Sequence, residues 1–465
     1  MLALGLLGST RSVLSWDEVA TADVAQRSAG QIWNLAHHID AVFSPYYLAM
    51  HGWTTLFGDS VLSLRLPSIL AMAGAAALTG ELGRRLLGGA AGVVAGILVC
   101  LVPNMTRYAA EARPYAWACL MSVLALLSLY RALEHPGIGR WLAYAATILG
   151  LGLGSLVALA ALPAHAALLS MRLFREPAHR RSIALSWSAA VGGTIVLLAP
   201  LIWWGLHQRP AQLHWVAPMT VGAVYTFPKY LVGSTEVAWL LIGLLLSAAY
   251  RMTRPVVEMA AAAGLPLAVV CVVSFVGTSF WVNRYLLFVL LPAMIVAAAG
   301  LVRPGLGSGV RSTPAPPALA LTVFAAAAVP GQVAVRQPTF KNGSDYRALA
   351  AAIRQQQRPG DDIVFERGRT MRAGLDYYLR DDPGRPRDVL LSEPAAVTAT
   401  LTAAEYAHPT VRLASASRIW LVAYGRRRDP ATARPDLRQF LTIDFRRTAV
   451  WEVKNGSMAL YVKQP

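Results

Sequence analysis

LSLRLPSILAMAGAAALTGELGRRLLGGAAGVVAGILVCLVPNMTRYAAEARPYAWACLMSVLALLSLYRA, residues 62–132, holds three apolar blocks at 62–82, 89–104 and 114–132. An α-helix needs about 20 apolar residues to cross the hydrocarbon core of a bilayer, and the first and third blocks have that length. The connector after the first block carries Arg84 and Arg85. The connector before the third, 105–113, carries Arg107, Glu111 and Arg113. Apolar segments one bilayer thick, joined by short charged turns, are the pattern of a polytopic membrane protein.

The pattern extends in both directions. Further apolar blocks run at 1–14, 140–155, 156–172, 183–205, 236–250, 256–278, 283–302 and 317–336, for about eleven spans in all. Met1–Val13 is short for a span and lacks the charged start and cleavage site of a signal peptide; it reads as a first span that is truncated or has a misplaced start codon. Hydrophobic residues make up 55% of the 465-residue chain and charged residues 14%, against about 25% charged in soluble domains. The net charge of +17 does not indicate nucleic acid, because many of the Arg residues sit in short connectors, where they set topology beside anionic lipid head groups. Cys100, Cys119 and Cys271 all lie inside apolar blocks and read as small hydrophobes.

The positive-inside rule orients the chain. With the loop after the first block outside, the inside connectors carry Arg84 and Arg85; Arg131 and Arg140; Arg172, Arg175, Arg180 and Arg181; Arg251 and Arg254; and Arg303 and Arg311. The outer loops are then 15–61, 105–113, 206–235 and 279–282, together with the C-terminal tail. This places the protein in the cytoplasmic membrane as a multi-pass chain, with its polar loops extracytoplasmic.

Composition changes near residue 336. Only eleven of the 25 acidic residues precede it. The expectation is a transmembrane domain over 1–336 and an extracytoplasmic soluble α/β domain over 337–465. In the latter, Tyr346, Leu349, Ala352 and Ile353 are spaced for a helix over 345–357. Asp362–Phe365, Val389–Leu391 and Ile419–Val422 read as strands, 371–379 as a helix, and Asn455-Gly456 as the turn of a final hairpin. No phosphate-binding loop, nucleophile elbow or zinc-protease motif occurs there.

The candidate chemistry lies in the outer loops. Acids at membrane level are costly and mark functional positions by default. Asp17-Glu18 stands just outside the first block, although Ser15 or Asp17 could equally cap a helix that starts there. His37, His38 and Asp40 are candidate substrate-binding residues; as metal ligands they fit less well, because only three candidates cluster and two of them are adjacent. Tyr46 and Tyr47 suit either a substrate groove or an interfacial helix. Glu111 and Arg113, followed by Tyr115, are either a self-satisfied ion pair or a second site acid beside a fixed cation. Gln212, His214 and Trp215, in the third outer segment, are further candidate substrate-binding residues. Arg284 and Tyr285 sit at a span end, where Arg284 is either a snorkelling anchor or a phosphate ligand.

In order, Trp16-Asp17-Glu18, His38-x-Asp40, Pro45-Tyr46-Tyr47, Leu56-Phe57-Gly58-Asp59-Ser60, Arg65-Leu66-Pro67-Ser68, Gly83-Arg84-Arg85-Leu86 and Glu111-Ala112-Arg113-Pro114-Tyr115 resemble the superfamily C membrane glycosyltransferases. The nearest branch is that of the protein O-mannosyltransferases and aminoarabinose transferases, particularly its actinobacterial mannosyltransferase-like members. The resemblance is strong over residues 14–132 and extends weakly to Gln212-x-x-Trp215 and Arg284-Tyr285-Leu286-Leu287. It implies a polyprenyl-phosphate sugar donor, an extracytoplasmic site and inversion at the anomeric carbon. The catalytic acid of the family's first outer loop maps onto Asp17, with Glu18 adjacent; the acid and Arg of its second outer loop map onto Glu111 and Arg113. Where many relatives have a His shortly before the Tyr pair, this chain has Phe43, a departure that bears on donor or acceptor specificity.

The expected function is transfer of a sugar, mannose or a pentose, from a polyprenyl-phosphate carrier to a cell-envelope glycan, lipid or protein. Asp17, Glu18 and Glu111 are the candidate acids, and a divalent cation is an open possibility. Two rivals remain: a transporter of a lipid carrier or polysaccharide, and a degenerate, non-catalytic scaffold. Transporters tend to show internal repeats with broken helices in matching halves, and no such symmetry is evident here.

Overall fold

The computed structural model describes residues 1–174, 180–302, 315–368 and 370–465. Arg175, Arg303 and Arg311, expected in inner connectors, and the side chain of Arg251 lie outside what is described. The chain forms two compact units. The first comprises Met1–Ser9, Asp40–Tyr46 and Arg65–Arg336; the second comprises Thr10–Ile39, Tyr47–Leu64 and Gln337–Pro465.

The first unit is helical. Among the described residues, seven helices are long and apolar enough to cross a membrane: Val61–Leu87, Tyr115–Glu134, Leu156–Leu173, Arg180–Leu213, Arg254–Val276, Asn283–Leu301 and Pro317–Ala334. Two more pass only as bent pairs, Gly89–Leu101 with Pro103–Ala109 at 70° and Val221–Val232 with Thr235–Ala248 at 100°, for up to nine spans.

The count falls below the expected eleven for local reasons. Block 1–14 forms only the five-residue helix Leu2–Leu6. Block 140–155 becomes Ile138–Gly154, a shorter apolar helix. Blocks 89–104 and 236–250 are each one arm of a bent pair. The first bend follows from Pro103, which has no N–H to give and drives the preceding Val102 to an extended ψ of 120°. The second forms at Gly233, whose φ of +84° ends one helix before Ser234 caps the next. Asn104 joins the two bends by donating from Nδ2 to the carbonyls of Tyr230 at 2.7 Å and Leu231 at 3.0 Å.

Charges within this unit are paired. Glu258 is buried and accepts from Tyr130 Oη at 2.5 Å and from Arg254 Nε at 2.6 Å. Glu81 accepts from Arg84 Nε at 2.7 Å and Arg85 Nε at 2.6 Å. Arg65, fully buried, donates to the carbonyl of Ser9.

The second unit is α/β. Its strands are β1 (Asp362–Phe365), β2 (Arg387–Asp388), β3 (Leu391–Glu393), β4 (Ala404–Glu405), β5 (Arg418–Tyr424), β6 (Phe445–Val453) and β7 (Gly456–Lys463). The main sheet runs β2-β1-β5-β7-β6. β1 pairs parallel with β2 and β5, and β7 pairs antiparallel with β5 and β6. The Asn-Gly signal is met: Val453 faces Gly456 across the turn, and Asn455 has φ +49°. The helix Tyr346–Gln356 buries Tyr346, Leu349, Ala350 and Ile353, the face its spacing required. The strand expected at Val389–Leu391 lies two residues later, at Leu391–Glu393.

This unit also takes in most of the first expected outer loop. Helix Trp16–Ala25 packs on helix Thr370–Leu379, Arg27 donates to the carbonyl of Thr400 at 2.9 Å, and Tyr377 donates to the carbonyl of Asp59 at 2.7 Å.

Candidate active-site residues in the two units

In the second unit, helix Trp16–Ala25 begins with a capping box. Ser15 Oγ accepts from the N–H of Glu18 at 3.3 Å, and Glu18 Oε2 accepts from the N–H of Ser15 at 2.9 Å. Glu18 has no exposed surface, and the same Oε2 lies 2.9 Å from the buried ammonium of Lys341. The carboxylate expected to act in catalysis is therefore committed to a helix cap and a buried ion pair. Asp17, in the first turn of the same helix, is half-buried. Lys341 escaped the sequence reading: it stands 323 residues from Glu18, in a short polar link that no motif marks.

His37 and His38 are exposed, and each donates from Nδ1 to a carbonyl four residues back, Trp33 or Asn34, at 2.8 Å. Among the described residues, no group of three or more His, Cys, Asp or Glu could hold a metal ion. Tyr47 is fully buried in this unit.

In the first unit, Asp40 is buried with φ +59°, and its Oδ1 accepts from Gln212 Nε2 at 3.2 Å. The next N–H, of Ala41, donates to Gln208 Oε1 at 2.9 Å. These bonds tie segment 40–46, which contains the half-buried Tyr46, to the long helix Arg180–Leu213. They also hold Phe43 in place: the Arg113 guanidinium lies 4.0 Å from the centre of its ring. The carbonyl of Arg113 accepts from Ser68 Oγ at 3.2 Å. Glu111, nearly buried, lies 3.9 Å from Arg107 Nε. The departure at Phe43 thus supplies an aromatic support for the arginine of the second loop motif.

Arg284 gathers three other expected residues. Its guanidinium lies 4.7 Å from the Trp215 ring, 5.9 Å from Tyr115 and 5.7 Å from Tyr285, and the Tyr115 and Tyr285 rings are 6.2 Å apart. Aromatic faces orient a planar guanidinium, whose fork matches the oxygens of a phosphate. His214 is exposed and bonded to the carbonyl of Ala211 at 2.8 Å, and the ring contacts of Arg284 do not include it.

Residues 44–204 match the family described as dolichyl-phosphate-mannose–protein mannosyltransferase. Among curated proteins, none matches the sequence. Among solved structures, ArnT from Cupriavidus metallidurans is similar both in its apo state and bound to undecaprenyl phosphate. Each comparison has a TM-score of 0.63 and 14% identity and covers 99% of this chain and 96% of that one. At that identity the likeness speaks to the fold. The chain is thus similar over residues 44–204 to the dolichyl-phosphate-mannose–protein mannosyltransferase family and over nearly its whole length to the fold of ArnT.

Proposed function

We propose that this protein transfers a sugar, mannose or a pentose, from a polyprenyl-phosphate donor to a hydroxyl of a cell-envelope glycan, lipid or protein at the outer face of the cytoplasmic membrane. Asp17 is the general base. It takes the proton of the acceptor hydroxyl as the oxygen attacks the anomeric carbon. The bond from that carbon to the phosphate oxygen breaks, the configuration inverts, and polyprenyl phosphate leaves. Arg113 and Arg284 stabilise the charge that develops on the leaving phosphate, and Glu111 positions substrate. The aromatic surround of Arg284, with Tyr115, Trp215 and Tyr285, borders the sugar and the lipid.

The observation that carries this reading is the convergence on Arg284 of rings from three segments far apart in sequence. A cation set among aromatic faces suits a phosphate attached to a sugar and an apolar chain. The ArnT structure with undecaprenyl phosphate supports the same donor class.

The test uses membranes containing the protein, supplied with radiolabelled polyprenyl-phosphate mannose and polyprenyl-phosphate arabinose. Wild type consumes one of the donors, and Glu111→Gln consumes it at least tenfold more slowly. Movement of labelled lipid across vesicles without donor consumption would favour a transporter, and absence of both would favour the scaffold.

A further inference from the structure

The second unit contains a cavity of about 780 Å³, within the roughly 300–1,000 Å³ of small-molecule sites. Its walls come from helix Trp16–Ala25, from β1 and β2, from helix Thr370–Leu379 and from the 383–403 segment. Phe365 and Leu401 give it apolar wall; Asp23, Arg372, Asp376 and Arg385 give it polar wall.

Most of the charge at its rim is already spent. Arg372 holds Asp388 and Glu405, each at 2.7 Å. Arg387 holds Asp362 at 3.0 Å, Arg380 holds Asp59 at 3.2 Å, and Asp23 is paired with Arg27 at 2.6 Å. Asp376 is different. Its carboxylate opens into the cavity and has no hydrogen-bond or ion-pair partner among the described residues. The residue keeps exposed surface, yet the surrounding walls and the charge of Asp388 push its pKa up to about 6 against the pull of Arg385 and Arg372.

A carboxylate is an acceptor-only group that pairs well with hydroxyl donors. Of the four lining arginines, Arg372, Arg380 and Arg387 are committed to other carboxylates, and Arg385 balances the charge of Asp376 across the cavity. Flat apolar wall beside it suits the C–H face of a sugar ring. One wall is the helix that starts at Asp17, and Asp23 lies six residues further along it, about 9 Å at the helical rise.

We propose that this cavity is an acceptor-binding site for a neutral, hydroxyl-rich saccharide, read through Asp376. This inference rests on the transferase reading above and gives the acceptor of that reaction the class of a glycan. None of the residues lining it belongs to a helix long and apolar enough to cross a membrane.

The test measures binding by the full-length protein in detergent, by isothermal titration with mannotriose and with arabinotriose, and with inorganic phosphate as the anionic probe. One of the saccharides binds wild type, and Asp376→Ala weakens that binding at least tenfold with its unfolding temperature retained. Binding is measured without donor, so it is scored independently of transfer. The proposal is overturned if neither saccharide binds a protein that transfers sugar, if Asp376→Ala binds as tightly as wild type, or if phosphate is the probe that binds.

Discussion

Lys341 Nζ lies 2.9 Å from Glu18 Oε2, with both side chains buried, so the residue beside the proposed catalytic base is fixed by a charge from the far end of the chain. Removing one member of such a pair leaves the other as an uncompensated buried charge, which costs about 3–5 kcal/mol. Lys341→Met therefore lowers the unfolding temperature of the second unit sharply, whereas the double variant Glu18→Gln with Lys341→Met recovers most of the loss. Thermal unfolding of the three purified proteins checks this, and equal losses in the single and double variants would contradict it.

The 4.0 Å contact of Arg113 with Phe43 is a cation–π interaction in a largely desolvated setting, worth about 2 kcal/mol. Phe43→Ala is expected to lower kcat/KM for the donor by roughly 30-fold. Phe43→Tyr, which keeps an aromatic face, stays within a few-fold of wild type. Steady-state kinetics with a saturating acceptor measure both.

Arg284 is expected to matter through its shape as well as its charge. Replacing a group that stabilises charge in the transition state costs about 10²–10³ in rate, so Arg284→Ala falls by that order. Arg284→Lys recovers only part of the loss, because an ammonium lacks the planar fork that stacks on Trp215 and spans two phosphate oxygens. Full activity in the Lys variant would reduce the role of Arg284 to that of a point charge.

Asp376 predicts a pH dependence. Burial and Asp388 raise its pKa to about 6, and Asp23 acts in the same direction, while Arg385 and Arg372 oppose. Between the ordinary carboxylate pKa of 3.8 and 6, the folded state holds this proton more than the unfolded state does. Its contribution to stability is complete below 3.8 and is lost as pH rises through 6. Asn cannot ionise, so Asp376→Asn gains unfolding temperature relative to wild type as pH goes from 4 to 7. A difference that stays constant over that range would refute the shift.

The sequence disclosed the local features well. The two-residue turn at Asn455, the buried face of Tyr346–Gln356 and most of the long apolar helices follow from short-range patterns of two to four residues. The span count exceeded nine because block 1–14 forms only a five-residue helix and block 140–155 a shorter apolar one. Site residues were legible one by one, as polar groups in expected outer loops, but their grouping was not. Asp40 with Gln212, and Arg284 with Trp215 and Tyr115, are joined by tertiary packing across roughly 70 to 170 residues. The capping box at Ser15 and Glu18 was legible as a local pattern, but its buried partner Lys341 carries no motif. The cavity around Asp376 was invisible for the same reason: its walls come from helices and strands on both sides of the apolar region of the chain.

The central claim is that Asp17 is the base for sugar transfer, and Asp17→Asn tests it most directly. The measurement is the rate of label transfer from the polyprenyl-phosphate sugar that wild type consumes to its acceptor, with donor binding followed in parallel. Loss of a general base lowers the rate about 10²–10⁴-fold, and the account predicts that loss with donor binding unchanged. Transfer by Asp17→Asn at the wild-type rate would contradict it.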